Sequence, residues 1–256
     1  MPGTCQYRAK KRFSQHFLHD KRIAARIIDS ADIEGETVIE IGAGKGILTR
    51  LISERAARVY AVEIDRDLIN ILKEMGLKNM ILINDDFLNI DLAQYKRPVV
   101  IGNIPYSITG RIIERLAQSK RSFKRAVLTI QQEYGERLLA GTGSGQYGPV
   151  SLFCEYYFTV EKEFTIRAGS FSPQPKVSST VIKLTPRKKP FTLLDEKGFF
   201  EMIRGIFQYR RKFIKNALVN YLHERSVNIA EAVLRKRPAD LSLHDYYSLF
   251  KAIGCA

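Results

Sequence analysis

The tetrapeptide Asn103-Ile104-Pro105-Tyr106 follows the apolar run Pro98-Val99-Val100-Ile101-Gly102, and its residue types suit chemistry on an exocyclic amine of a nucleobase. The amino nitrogen of adenine is a weak nucleophile because its lone pair is delocalised into the ring. Hydrogen-bond acceptors aimed at its two N–H groups make it more tetrahedral and restore the lone pair. The Asn103 side-chain oxygen and the Ile104 main-chain carbonyl supply two such acceptors, Pro105 fixes the turn, and Tyr106 offers a ring on which a base can stack. The same residue types are common wherever a strand enters a turn, so the neighbouring motifs decide between the two readings.

Upstream, Glu40-Ile41-Gly42-Ala43-Gly44-Lys45-Gly46 lies between an apolar strand, Thr37 to Ile41, and a helical pattern of Ile47, Leu48, Leu51 and Ile52. Glycines at a strand-to-helix turn let backbone approach a ligand closely. Their Gly-x-Gly-x-Gly spacing fits neither the dinucleotide fingerprint nor the phosphate loop, which points to a ligand without phosphate. Glu63, seventeen residues beyond Gly46, ends the next apolar strand, where a carboxylate accepts from both hydroxyls of a ribose. Asp85-Asp86-Phe87-Leu88 follows a third strand. A carboxylate there accepts from an adenine amino group or caps a turn, and the sequence leaves open which aspartate points inward.

Strands are predicted near 37–41, 58–63, 79–84, 98–102 and 125–131, with helical patterns between them. Such alternation makes an α/β fold with a parallel sheet and helices on both faces, whose ligands sit at the carboxyl ends of the strands. Every motif above lies at such an end. The charged, helix-breaking stretch Pro186-Arg187-Lys188-Lys189-Pro190 divides a catalytic domain, 1–186, from a small all-helical C-terminal domain, 187–256. Helices are expected there at Phe199 to Phe207, Arg210 to Tyr221, Ile229 to Leu234 and Leu243 to Ile253, the last opened by a capping signal at Ser242 and Asp245. Gly141 to Gly145 is expected to be a flexible loop.

Together these motifs resemble the ribosomal RNA adenine dimethyltransferase family, and further segments extend the resemblance over roughly residues 8–220. Arg12-Phe13-Ser14-Gln15-His16-Phe17-Leu18 is similar to the family's Gln-Asn-Phe-Leu motif, with His16 at the Asn position. Gly169 to Val177 resembles its Phe-x-Pro-x-Pro-Lys-Val segment, and Tyr147-Gly148 and Phe207 to Lys212 match its Tyr-Gly and Phe-x-x-Arg-Arg-Lys. The resemblance implies a Rossmann-like S-adenosylmethionine-dependent sheet that methylates adenine N6 twice in small-subunit ribosomal RNA. It implies cofactor contacts from Gln15, His16, Leu18, Gly42, Gly44, Gly46, Glu63, Ile64, Asp86, Phe87 and Asn103. It further implies that the target adenine is held by Asn103, Ile104, Pro105 and Tyr106, with Phe171 packed on the flipped base. Large-subunit enzymes of the antibiotic-resistance type share this logic, and a non-catalytic assembly or transcription factor on the same fold is a further alternative.

Forty-one Lys and Arg against twenty-seven Asp and Glu leave a net charge of +14, a balance suited to a polyphosphate partner. Lys10, Lys11 and Arg12 form one basic cluster and Arg210, Arg211, Lys212 and Lys215 a second, both read as RNA contacts. Three cysteines without ligand spacing predict neither a disulfide framework nor a metal site. No run approaches the roughly twenty apolar residues of a membrane span. These features give the expectation of a cytoplasmic protein, and the resemblance implies a monomer acting on a ribosomal particle of the pre-30S type.

Overall fold

The computed structural model describes Tyr7, Lys10, residues 15–222 and residues 229–254; Lys11 and Arg12 lie outside the described residues. The apolar runs become strands β2 (Thr37–Ile41), β3 (Arg58–Val62), β4 (Met80–Ile83), β5 (Val99–Asn103) and β6 (Arg125–Gln131), after a short β1 (Phe17–Leu18). β2 to β6 are parallel, with Ile41 opposite Val62 on one side and Gly102 on the other. The order β4-β3-β2-β5-β6 reverses direction between β2 and β5. A crevice opens at the carboxyl ends of strands at such a reversal.

Three later strands escaped the sequence prediction: β7 (Phe158–Ile166), β8 (Phe171–Ser172) and β9 (Ser179–Pro186). The seven-stranded sheet runs on past β6 through β9 to β7, and β9 is antiparallel to β6, with Gln131 opposite Ser179. The sheet is therefore mixed rather than wholly parallel. β7 alternates only weakly between buried and exposed positions, as an edge strand does, so its period-two signal is faint. β8 pairs with β1, setting Leu18 against Phe171.

Helices α1 (Lys21–Ala31), α2 (Ile47–Arg55), α3 (Arg66–Lys73) and α4 (Thr109–Gln118) cover the parallel part. In α1 the Asp20 carboxylate caps the Arg22 and Ile23 amides, and Ala24, Ile27, Ile28 and Ala31 recur on one buried face. Those intervals of three, one and three follow the helical period. This face packs with Val38, Ile52, Val59, Ile101 and Val127 into the main core.

The chain separates into two compact units: residues 1–135 with 159–186, and residues 136–158 with 187–256. Residues 136–158, assigned from sequence to the catalytic part, thus cluster with the C-terminal residues. After α5 (Gln132–Leu139), the second unit holds α6 (Pro149–Tyr157), α7 (Glu196–Phe207), α8 (Ile214–Leu222), α9 (Glu231–Leu234) and α10 (Leu243–Ala252). Its core is aromatic: Phe199 meets Phe250 at 5.4 Å and Tyr156 meets Phe200 at 5.6 Å between ring centres. The capping signal forms as predicted, with Ser242 Oγ accepting from the Asp245 amide at 3.1 Å and Asp245 Oδ2 from the Ser242 amide at 3.0 Å. No helix among the described residues is long and apolar enough to cross a membrane.

Candidate active site

At the strand-order reversal lies a cleft of about 210 Å³, formed wholly within the first unit. Its walls are the β2, β3, β4 and β5 carboxyl ends, the Gln15 to Phe17 segment and Phe171. Two glycines make this crossing possible. A Cβ on Gly102 would lie 2.8 Å from Ile41 Cβ and 3.0 Å from its carbonyl oxygen, so only glycine lets β5 approach β2 this closely. Gly44 adopts φ of +60°, and its open side receives the Phe17 ring at 3.3 Å from where a Cβ would be.

On the β5 side, Asn103 Nδ2 donates to the His16 carbonyl at 2.9 Å. A carbonyl only accepts, so this contact fixes which end of the amide is which and leaves Oδ1 as the acceptor on the cleft side. The Ile104 amide donates to the Thr129 carbonyl at 2.9 Å, anchoring the turn to β6. Tyr106 is held by its hydroxyl, 2.9 Å from Ser179 Oγ, and by the His16 ring, stacked at 6.0 Å and 26°. His16 Nδ1 lies 2.7 Å from the Pro173 carbonyl and must therefore carry a proton. A single residue, His16, thus joins the Asn103 turn to the segment that carries Phe171.

On the β2 and β3 side, Glu63 is buried, and each carboxylate oxygen accepts one backbone amide, Gly44 to Oε2 and Asp65 to Oε1, both at 2.9 Å. Burial raises its pKa, opposed by those two amides. A carboxylate has about four lone-pair sites, so capacity for two hydroxyl donors remains. Ile64 beside it is 47% exposed and presents an apolar face to the cleft. Asp85 and Asp86 both line it. Asp85 is exposed and accepts from the Asp86 amide and Asn89 Nδ2, whereas Asp86 is less exposed and caps Leu88 through Oδ1. The capping and ligand-facing readings of Asp86 are thus compatible.

Gln15, His16, Gly42, Gly44, Glu63, Ile64, Asp86, Phe87, Phe171 and Asn103 to Tyr106 all reach the cleft. Two expected cofactor residues lie elsewhere. Leu18 is packed in the main core because β1 turns its side chain inward. Gly46 opens α2, and a Cβ there would strike Met75 Sδ at 2.4 Å, so it serves helix packing. Phe17, part of the Gln-Asn-Phe-Leu-like segment but not singled out in it, lines the cleft, and Asp65, which secures the N-terminal segment, was missed from sequence. The Tyr7 hydroxyl lies 2.7 Å from both Asp65 Oδ2 and Gln15 Oε1, and Lys10 Nζ binds Asp65 at 2.7 Å and Asp67 at 2.6 Å. Burial works against the Asp65 charge, yet Lys10 and Tyr7 hold its carboxyl below the usual range, and Tyr7 is pushed up to about 12 by burial and Asp65. No sequence pattern marks this long-range cluster. Lys10, expected to meet RNA, is instead engaged by two carboxylates.

In the second unit Arg210, also read as an RNA contact, points into its own fold. Its guanidinium donates to the carbonyls of Ser144 at 3.1 Å, Gly145 at 2.9 Å and Tyr147. The Gly141 to Gly145 stretch is correspondingly tied down, with Gly143 also donating to the Ala239 carbonyl at 2.7 Å. The expected flexible loop is a fastened one, because a planar five-donor fork can satisfy several carbonyls at once. Arg211, Lys212 and Lys215 are exposed.

The cleft residues fit S-adenosylmethionine: an acid for ribose hydroxyls, an apolar wall and a polar end for a purine, and a glycine turn left open at Gly42 for the amino-acid moiety. Comparisons with known proteins agree. Residues 6–254 match the model of the ribosomal RNA adenine dimethylase family. A protein of Mycoplasmopsis pulmonis named ribosomal RNA small subunit methyltransferase A is 37% identical, covering 95% of this chain and 98% of its own. The protein of the same name from Synechococcus sp. is 38% identical over 90% of this chain and 86% of its own. Among solved structures, a dimethyladenosine transferase from Plasmodium falciparum superposes with a TM-score of 0.79 at 26% identity, covering 94% of this chain and 99% of its own. The 23S rRNA methyltransferase ErmE gives 0.65 at 25% identity, covering 92% and 98%. With its cleft assembled as an S-adenosylmethionine site beside an Asn-Ile-Pro-Tyr turn, this chain belongs to the ribosomal RNA adenine dimethylase family.

Proposed function

We propose that the chain transfers two methyl groups from S-adenosylmethionine to N6 of each target adenine in small-subunit ribosomal RNA. The targets lie near the 3′ end of that RNA in a particle of the pre-30S type, and the chain acts during ribosome assembly as a cytoplasmic monomer. The observation that carries the chemistry is the Asn103 amide, whose nitrogen is tied to the His16 carbonyl so that Oδ1 is fixed as an acceptor. The small-subunit assignment is supported by relatives of that name at 34–38% identity over 90–96% of the chain.

When bound, S-adenosylmethionine supplies an electrophilic methyl group on a positively charged sulfur. Glu63 would hold the ribose hydroxyls, Asp86 the adenine amine of the cofactor, and Ile64 and Phe87 would supply the apolar wall for its base. The target adenine is flipped out of the RNA and stacks between Tyr106 and Phe171. Its two amino hydrogens are accepted by Asn103 Oδ1 and the Ile104 carbonyl, which concentrates the lone pair on N6. These acceptors are held by other protein groups beforehand, so little reorganisation is needed as charge develops. The methylated nitrogen is acidic and its proton passes to solvent; the protein's part is orientation and electrostatics. The helical residues 187–256 act as an RNA-binding domain.

The deciding experiment supplies labelled S-adenosylmethionine to unmodified small-subunit particles, with large subunits as control and nucleoside analysis of the product. Dimethyladenine confined to the small subunit is the expected result. Label in the large subunit alone would reassign the chain to the resistance type, whose fold ErmE shares. Tight RNA binding without label would leave a non-catalytic assembly factor.

A further inference from the structure

Phe213 stands immediately past the basic Arg210-Arg211-Lys212 run and is 51% exposed, a large apolar ring left in solvent. It opens α8: the Ala217 amide donates to the Phe213 carbonyl at 2.9 Å, and the Ile214 amide beside it donates to the Lys236 carbonyl at 2.8 Å. That second bond brings the segment 235–237 alongside, and the Arg237 guanidinium stands 6.0 Å from the Phe213 ring centre. Arg211, Lys212 and Lys215 are exposed on the same short stretch. No carboxylate among the described residues forms an ion pair with any of these four cations, whereas nearby Arg235 and Lys236 are paired with Glu231 and Asp245.

We propose that Phe213, with the Arg237 guanidinium beside its ring and the exposed cations Arg211, Lys212 and Lys215 on the same stretch of chain, is a stacking site for an unpaired nucleotide of the RNA, a different nucleotide from the one methylated. An exposed ring costs solubility unless something covers it, and a nucleobase offers a flat π face of matching size. The exposed cations of this stretch answer the phosphates on either side of that base. Among the described residues, the neighbouring apolar Ile214, Ala217 and Leu218 are buried, so the ring does not extend into the contiguous apolar area of a membrane or protein-docking surface. Stacking is indifferent to base identity, so the site selects for a base that is not paired. The proposal rests on the chain's action on ribosomal RNA only for the source of that nucleotide.

The test uses the full chain and a labelled twelve-nucleotide single-stranded RNA, with the same sequence as a duplex, read by fluorescence anisotropy across a salt series. Phe213→Ala is expected to weaken single-strand binding by about 5- to 100-fold with the salt slope unchanged. Phe213→Trp, which preserves the ring surface, should retain wild-type affinity, and duplex binding should be unaffected by either change. Lys212→Gln with Lys215→Gln should lower the salt slope by roughly 0.7 for each phosphate no longer neutralised. Unchanged single-strand affinity in Phe213→Ala, or an equal loss on the duplex, would overturn the proposal. So would a Phe213-dependent gain of binding to anionic phosphatidylserine vesicles without one to RNA. Because no methyl transfer is measured, failure here is separable from failure of the catalytic assignment.

Discussion

The cleft of the first unit and the basic face of the second use polar side chains in opposite ways. In the cleft, Asn103 and Glu63 are each tied by backbone groups at 2.9 Å, so their remaining acceptor sites have fixed directions. On the basic face, Arg211, Lys212 and Lys215 are exposed and carry no ion pair among the described residues, with Lys212 over the Tyr209 ring, while Arg210, adjacent in sequence, is bound to three carbonyls. Fixed dipoles in a water-poor site act strongly at short range, whereas exposed charges act over about a Debye length and fade with salt. Pinning marks the groups that perform chemistry; freedom marks those that meet a polyanion.

Breaking the pinned side should have the largest effect. Asn103→Ala removes the fixed acceptor and should lower methyl transfer at saturating cofactor by about 10²- to 10³-fold, with cofactor affinity and melting temperature changing far less. Single-turnover transfer to unmodified particles measures it. A loss below tenfold would mean that the pinned amide is not where the catalytic power resides.

Two carboxylates sharpen the comparison within the first unit. Glu63 has a donor on each oxygen, but Glu40, at the end of β2, is fully buried and its Oε2 has no hydrogen-bond partner. Burial, with the Glu63 charge adding to it, pushes the Glu40 carboxyl up from 4.5 to about 8. Between those values the native state holds a proton that the unfolded chain releases, so this group subtracts stability as pH rises from about 4.5 to about 8. Glu40→Gln removes the penalty. The stability of Glu40→Gln relative to wild type should therefore climb by up to about 4 kcal/mol between pH 5 and pH 8. Urea unfolding at the two pH values decides it, and parallel curves would rule out a protonated Glu40.

How much of this was legible follows the same division. The five parallel strands and the site residues at their ends stand out because buried strands are apolar runs and ligand-binding turns carry Gly, Asn, Asp or Glu at fixed offsets. Gln15, His16 and Phe171 were placed only by family resemblance; their meeting depends on β1 pairing with β8 across more than 150 residues. The edge strand β7 was missed because its alternation is weak; β9, an interior strand that is mostly buried, was missed although it carries an apolar run. The fates of Lys10 and Arg210 were missed for a different reason: a cation's partner is set by the tertiary fold, and Asp65 and the 144–147 carbonyls leave no mark near them in sequence.

Glu63→Gln tests the cofactor half of the cleft with a smaller effect. An amide keeps one acceptor and loses the other, so affinity for S-adenosylhomocysteine by calorimetry should fall by roughly 10- to 100-fold. Since the Glu63 pKa is raised, wild-type affinity should also decline as acid protonates the carboxyl, while the Gln variant stays flat. Equal pH dependence in both proteins would remove Glu63 from the site.

The smallest effects separate two neighbours on the basic segment. Arg210→Ala leaves the Ser144, Gly145 and Tyr147 carbonyls without their donor, which should cost about 1–2 kcal/mol of stability and leave the salt dependence of RNA binding unchanged. Lys212→Gln should do the reverse: stability within about 0.5 kcal/mol of wild type, and a salt slope shallower by about 0.7 to 0.9. Unfolding curves and binding isotherms across a salt series on the same two proteins make the contrast. If Arg210→Ala flattened the salt slope as Lys212→Gln does, the guanidinium would leave its carbonyls when RNA arrives, and a pinned group would be serving as a phosphate contact after all.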